Sequence, residues 1–271
     1  MSGFVANARM YAVAPAAEEA WRALLAHACA EAGLALAYMP YPAPQPLEEL
    51  WARPDLGAVF MCGYPIALGL AEVVPLVAPI PDAPWAGGRA VYRSDLIVHR
   101  DCPWRSLEDG FGGHAGWTVG HSHSGFNAFR HHLLPHRSAA RPRLFARTTG
   151  GLVTARRILD AVAAGEIDIG PLDAYWHLLL RRHRPELVAP IRVLESTATA
   201  PAPAIVCAPA MPGDDARRLR AALLAAPSRP WFPALARELC LAGFAPVARE
   251  DYAATLAWDA EARAAGYPEP A

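Results

Sequence analysis

The 271-residue sequence is 54% hydrophobic and carries a net charge of only −1 at pH 7, which predicts a globular protein without the overall positive field that binds nucleic acids or membranes. All 25 basic residues are arginines, so a Schiff-base lysine, a pyridoxal-phosphate anchor and a phosphate-loop lysine are excluded. Five scattered cysteines without a C-x-x-C pair favour reduced thiols over a zinc ribbon or a disulfide framework.

The first third of the chain alternates short apolar runs with amphipathic segments. Strands are predicted at residues 8–13, 34–39, 58–61 and 73–79, and helices at 18–32 and 47–53. Trp21, Leu24 and Ala28 give the first helix an apolar face, and Gly33 ends it. This alternation is typical of a parallel sheet with crossover helices.

The same alternation recurs in the middle of the chain and near its end. Strands are predicted at 91–100, 115–119, 143–146 and 167–170, and helices at 104–109, 125–134, 152–164 and 174–182. Beyond Pro185, strands at 191–196 and 204–207 precede helices at 214–226, 231–239 and 252–264.

Two αβ blocks joined by extended passages near residues 89–94 and 189–194 predict a two-lobed α/β protein with a two-segment hinge. The first lobe is expected to contain residues 1–90 and 190–271, and the second residues 91–189. Because open α/β sheets bind ligands at the carboxyl ends of their strands, a crevice between the lobes is the expected site.

The segment from Trp117 to Gly125 resembles a strand that delivers a helix N-terminus to a ligand. An apolar run breaks there into small hydroxyl residues and two histidines. The hydroxyls of Ser122 and Ser124 and the unpaired N–H groups of the first helical turn are expected to converge on one point, which suits an oxyanion. His123 can donate as well as accept a hydrogen bond. An ordinary helix cap without a ligand is the alternative at this position.

The charge pattern around this segment is uneven. No acidic residue lies between Asp109 and Asp160, whereas seven arginines and six of the ten histidines do. We therefore expect positive potential around the helix entrance, although such arginines more often only solvate a surface.

Two other chemistries fit parts of the same segment. The run Gly120-His-Ser122-His-Ser124 approaches the nucleophile elbow G-x-S-x-G, and a serine hydrolase would then need Asp173 with His177 or His183. That reading is weaker because Ser124 replaces the last glycine and no histidine follows His183.

A metal site is the other reading, since five histidines lie between residues 121 and 136. Adjacent His131 and His132 point to different helix faces, however, and no carboxylate is near in sequence. We predict neither a metal ion nor a cofactor.

Four further residues fall at strand ends, where they could line a pocket. Asp173 is expected to cap a helix or to accept protons from a ligand. Tyr11, Tyr64 and Tyr92 each carry a phenol that can wall a pocket and donate one hydrogen bond.

Several motifs together resemble those of a known family. They are Met10-Tyr11, Cys62-Gly-Tyr64-Pro, Tyr92-Arg-Ser94-Asp-Leu-Ile-Val, Ser106-Leu-Glu-Asp109, His123-Ser-Gly125-Phe-Asn-Ala-Phe-Arg130, Ala163-Ala-Gly-Glu-Ile-Asp168 and Leu172-Asp173. In order and spacing, over about residues 10–207, this set resembles the phosphonate- and phosphite-type substrate-binding proteins of ABC importers, which have the bilobal type II periplasmic-binding fold.

The resemblance implies roles for particular residues. Ser122, His123 and Ser124 would hold the phosphonate oxygens. Tyr64, together with Tyr11 and Tyr92, would close over the ligand, and Asp173 would meet it from the second strand end. Two positions depart from the family. His123 stands where relatives have a hydroxyl residue, and Gly150-Gly-Leu152 stands where they have Gly-Ser-His.

The sequence therefore predicts a non-catalytic, monomeric protein that closes around a small anion, with an ABC permease as its partner or with a role as a cytoplasmic sensor. A lyase of a carboxylated metabolite on the same fold is the enzyme alternative. No nucleic acid binding or membrane insertion is expected. The N-terminal residues lack a signal-peptide pattern, which predicts a cytoplasmic location as written and a periplasmic one if a leader was removed.

Overall fold

The computed structural model describes residues 3–271, which form two compact units. The first unit contains the residues up to Tyr92 together with Pro201–Ala253, and the second contains Arg93–Ala200 and Ala254–Ala271. The chain thus passes between the units at three points, whereas two were expected. Residues 254–271, expected in the first lobe, belong to the second unit.

Both units combine strands with flanking helices. The strands are β1 (Val5–Asn7), β2 (Ala37–Tyr38), β3 (Leu56–Met61), β4 (Val74–Pro81), β5 (Val91–Tyr92), β6 (Ser94–His99), β7 (His114–Gly116), β8 (Arg147–Thr149), β9 (Ile169–Asp173), β10 (Ile191–Ser196), β11 (Ala200–Pro201), β12 (Ala204–Cys207) and β13 (Leu241–Pro246). The helices are α1 (Pro15–Glu31), α2 (Leu47–Trp51), α3 (Gly63–Leu68), α4 (Ala128–Leu133), α5 (Ala155–Ala163), α6 (Ala174–His183), α7 (Pro185–Val188), α8 (Gly213–Ala225), α9 (Phe232–Leu239) and α10 (Ala253–Ala264).

The first unit is built on a six-stranded sheet in the order β13-β4-β12-β3-β1-β2. All six residues of β3 are buried, because this strand pairs with β1 on one side and β12 on the other. Trp21, Leu24 and Leu25 form the buried face of α1, which packs against α8 and α9. The sheet is mixed, not parallel as expected: β1 runs parallel to β3, but β12 and β13 run antiparallel to β4.

The second unit has a five-stranded sheet in the order β10-β6-β9-β7-β8. Strand β7 runs parallel to β8 and β9, whereas β6 is antiparallel to β9 and β10. Leu96, Val98 and Ile169 form its core with Phe129 and Phe145. The carboxyl ends of β7 and β9 carry the segments that hold most of the candidate site residues.

Several elements differ from the sequence-based expectation. Residues 143–146 are not a strand, because Leu144 and Phe145 insert their side chains into the core and β8 begins only at Arg147. The helix expected at 104–109 is one 3-10 turn at Glu108–Gly110. The first strand lies earlier, at Val5–Asn7 and not at 8–13, and α3 and β13 were not predicted.

The C-terminal segment belongs to the second unit because it covers the helix over residues 123–133. The side-chain amide of Asn127 donates a 2.8 Å hydrogen bond to the carbonyl oxygen of Thr255. The guanidinium of Arg130, only 1% exposed, donates to the carboxylate of Asp259. Within the described part of the chain, every helix is too short or too polar to span a bilayer.

The five cysteines are free thiols. Cys29, Cys62 and Cys207 are buried, whereas Cys102 and Cys240 are half-buried.

Candidate functional site

The chain beyond β7 forms a tight entrance to a helix. The Ser122 amide donates to the carbonyl of Val119 at 2.9 Å, and the Ser122 hydroxyl oxygen accepts from the Gly125 amide at 3.0 Å. The helix begins as a π-turn at His123–Asn127 and continues without a break into α4. Ser122 is therefore the N-cap, and its hydroxyl keeps one O–H donor in addition to the bond that it accepts.

Gly125 allows the preceding segment to approach this first turn closely. The Thr118 amide donates to the carbonyl of Gly125 at 3.0 Å. A Cβ on Gly125 would lie 2.0 Å from the Thr118 hydroxyl oxygen and 3.0 Å from that of Ser122. No side chain fits there, so both hydroxyl groups flank the bare backbone of Gly125.

Ser94 links this entrance to Asp173. The Ser94 hydroxyl donates to the carbonyl of Ser124 at 2.8 Å, and Ser94 faces Asp173 in the β6–β9 register. Asp173 accepts from the amides of Tyr175 and Trp176 at 2.8 and 3.1 Å, so it caps α6. The structure thus connects two predicted site elements of the second unit through Ser94 on strand β6.

The imidazole of His123 is buried in the second unit. Its Nδ1 lies 3.3 Å from the side-chain amide nitrogen of Asn127, and its ring centroid is 5.1 Å from that of Trp258 in α10. Burial, with a smaller contribution from the charge of His131, lowers the pKa of His123 from 6.5 to about 3. His123 is therefore neutral at physiological pH.

The three candidate tyrosines lie in the first unit and are buried, with exposures of 1–2%. Tyr11 ends a 3-10 turn and meets the edge of Phe60, with ring centroids 5.0 Å apart. Tyr64 lies in the first turn of α3, and Tyr92 ends β5. Their contact with a ligand stays a prediction.

Part of the positive charge in the basic window, residues 110–159, is paired with carboxylates of the second unit. Carboxylates that are distant in sequence pair with its members: Asp259 with Arg130, Glu261 with His131, Glu195 with His132 and Glu108 with His136. The groups that the structure places at the helix entrance itself are hydroxyls, amides and the positive end of the helix dipole, which attract an anion without a paired cation.

The contacts also bear on the alternatives from the sequence. His177 Nδ1 lies 2.8 Å from the carboxylate of Asp95, so the acid that orients His177 is Asp95 and not the Asp173 that a hydrolase was expected to use. Among residues 3–271, no three or more histidine, cysteine or carboxylate side chains are grouped as metal ligands.

Sequence reasoning overlooked Thr118 and did not assign a role to Ser94. Ser94 lies within a motif that carries the family resemblance, which was a usable signal. Thr118 has no sequence signal, because only the packing against Gly125 places its hydroxyl at the helix entrance.

The sequence pattern of one family, described as "ABC transporter, phosphonate, periplasmic substrate-binding protein", matches residues 12–252. The chain belongs to this family. The resemblance inferred from the motifs is therefore confirmed. A comparison with curated proteins gives no match.

Solved structures of substrate-binding proteins share the fold. The binding component of a phosphonate ABC transporter from Pseudomonas aeruginosa is 15% identical, with a TM-score of 0.79 and coverage of 98% of this chain and 88% of that chain. PhnD1 from Prochlorococcus marinus, in complex with methylphosphonate, is 10% identical, with a TM-score of 0.76 and coverage of 96% and 98%.

A Xanthomonas citri protein bound to ATP is 20% identical, with a TM-score of 0.66 and coverage of 98% of both chains. At these identities the likeness concerns the fold alone, and it confirms the predicted α/β periplasmic-binding class.

Proposed function

We propose that this substrate-binding protein is the receptor of an ABC importer and binds a small tetrahedral oxyanion of the phosphate or phosphonate type. Its family supports a non-catalytic solute-binding role, with a permease as partner and the periplasm as compartment. Within the site, Ser122, Ser124 and the first-turn amides would hold the anion, and Asp173 would accept a proton from it. Tyr11, Tyr64 and Tyr92 stay predicted ligand contacts, and the neutral His123 would support the helix.

The observation that carries the proposal is the Ser122-capped helix entrance. Its hydroxyl oxygen is fixed by the Gly125 amide at 3.0 Å, and Ser94 fixes the carbonyl of Ser124 at 2.8 Å. Such an entrance presents oriented neutral donors at the positive end of a helix dipole, where an anion is stabilised. Neutral donors also avoid the cost of burying a cation beside the ligand.

Thermal-shift and calorimetric titrations test the proposal with inorganic phosphate, phosphite, methylphosphonate, ATP and adipate. A ligand at 100 times its Kd stabilises the folded protein by about 2.7 kcal/mol. We expect stabilisation by a phosphorus oxyanion, and a loss of at least about tenfold in affinity for Ser122→Ala, since a hydrogen bond to a charged group disappears.

Ser228→Ala is the matched control, because this exposed serine of the first unit donates only to the carbonyl of Ala225. Binding of adipate alone, or no response to any of the five compounds, would contradict the proposed ligand class.

ATP and adipate enter the titration because solved relatives carry them. The Xanthomonas citri protein holds ATP, and an R. palustris protein, 12% identical with a TM-score of 0.65 and coverage of 98% of both chains, holds adipate. ATP offers the same phosphorus oxyanion with a bulky substituent, whereas adipate offers planar carboxylates. The titration therefore separates a phosphorus oxyanion from a dicarboxylate.

A further inference from the structure

The Thr118 hydroxyl has no hydrogen-bond partner within the described residues, although it is buried. The residue is 5% exposed, and its Oγ1 atom is shielded from solvent. The backbone holds it in place, because the Thr118 amide donates to Gly125 at 3.0 Å and its carbonyl accepts from the Gly151 amide at 2.7 Å. A buried polar group without a partner costs free energy and calls for an explanation.

The hydroxyl is aimed at the helix entrance. Its oxygen is the atom closest to the position that a Gly125 Cβ would occupy, at 2.0 Å, and the Ser122 hydroxyl oxygen is 3.0 Å from the same position. Two hydroxyls therefore flank the first turn of a helix that runs from His123 through α4. Because Gly125 has no side chain, nothing separates the two hydroxyls at this position.

Threonine is an unexpected choice at this position on stability grounds alone. Valine has nearly the same shape and carries no hydroxyl, so it would fill the same space without an unsatisfied polar atom. Binding sites often contain residues that lower the stability of the ligand-free protein. In such a site the ligand supplies the hydrogen-bond partner that the buried polar group lacks.

We propose that Thr118 is a ligand-binding residue whose hydroxyl donates a hydrogen bond to the anion that Ser122 holds. This inference rests on the proposed function. Thr118, Ser122 and the first-turn amides would together offer at least three donors to one ligand. They suit a tetrahedral group with three oxygens, whereas a planar carboxylate offers only two. Thr118 therefore favours phosphorus oxyanions over carboxylates.

Thr118→Val and Thr118→Ser test the inference by calorimetry and thermal unfolding, with methylphosphonate and inorganic phosphate as probes. Thr118→Val is expected to keep or raise the Tm of the ligand-free protein and to weaken anion binding by about tenfold or more. Thr118→Ser, which keeps the hydroxyl, is expected to keep the affinity within a few-fold. Thr148→Val is the matched control, because Thr148 is a half-buried threonine on strand β8 of the same unit, and this variant should bind as the wild type does.

The results of these titrations distinguish a failure of the Thr118 inference from a failure of the proposed function. If Ser122→Ala weakens binding and Thr118→Val does not, Thr118 is only a packing residue and the inference is overturned while the proposed function stands. If the wild-type protein binds neither probe, the proposed function fails and the inference fails with it. A parallel loss of Tm and affinity in Thr118→Val would also overturn the inference, because it indicates a structural role.

Discussion

His123 lies between two serines that are proposed to hold an anion, and an exposed imidazole there would be partly protonated near pH 6.5. The structure instead buries the ring beside Asn127 and Trp258, and its pKa falls to about 3. Because the ring is neutral, the anion site gains no charge from it. The sequence leaves this open, since burial of a side chain depends on what packs over it, here a helix more than 120 residues later.

This burial predicts how stability depends on pH. The folded state keeps His123 neutral, whereas the unfolded state binds a proton at this residue below pH 6.5. Burial of His123 therefore costs no free energy of unfolding above pH 6.5, and the free energy of unfolding falls as pH drops from 6.5 toward 3. The loss approaches about 1.4 kcal/mol per pH unit for this one group. Urea unfolding of wild type and His123→Gln at pH 7.5 and at about pH 5 measures it. The variant should lose less stability than the wild type, and an equal loss in both would contradict the lowered pKa.

At the scale of elements, the loop between β8 and α5 contains a strained residue. Val153 has φ = 62°, and the Thr154 amide donates to the carbonyl of Leu152 at 2.7 Å, so the chain makes a tight turn around a β-branched residue. Thr154 then caps α5 by accepting from the Arg157 amide at 3.1 Å. The side chain of Val153 is 48% exposed and contributes little packing.

Replacement of Val153 by glycine should therefore stabilise the protein by roughly 1 kcal/mol, because glycine adopts positive φ without the steric cost. Thermal and urea unfolding measure the change. Val193→Gly is the matched control: this valine is similarly exposed but lies in the extended strand β10, where glycine is destabilising. A destabilised Val153→Gly would show that the turn is not strained.

The elements also show what periodicity can predict. Strand β10 and the cap of α6 at Asp173 lie where the sequence places them, because an apolar run and a capping residue are local signals. The antiparallel direction of β12 could not be predicted, since a fully buried strand reads the same in either direction. The π-turn at the start of the 123–133 helix has no periodic signal in the sequence, and Gly125 within it packs against Thr118.

At the scale of the whole molecule, a buried ion pair ties the end of the chain to the candidate site. Arg130 donates to both Asn127 and Asp259. Asn127 lies 3 positions before Arg130 in the sequence, and Asp259 lies 129 positions after it. Burial raises the pKa of the Asp259 carboxyl, but hydrogen bonds from Arg130 and Arg263 more than offset this, and the net pKa is lowered. Sequence reasoning assigned this segment to the other lobe because chain order carries no record of such a long-range pair.

Breaking this pair should be costly. Asp259→Leu leaves the Arg130 charge buried without a carboxylate, and we expect a loss of about 3–5 kcal/mol in the free energy of unfolding. The double variant Arg130→Met/Asp259→Leu removes both charges and should recover much of the loss. Arg263→Met is the control, because Arg263 bonds the same carboxylate but is 66% exposed in its side chain, and it should cost less than about 1 kcal/mol. Urea unfolding that ranks the double variant below Asp259→Leu would contradict this account.

The placement of the thiols has a practical consequence for spectroscopy. The two half-buried cysteines fall one in each unit, Cys240 in the first and Cys102 in the second. Burial raises the pKa of the Cys29 and Cys207 thiols to about 11, which keeps them as unreactive thiols near neutral pH. Cys62 is buried as well, so dyes attached through maleimides would label Cys102 and Cys240, which lie on different units, without any engineered cysteine. Energy transfer between them would report directly whether an anion changes the separation of the units.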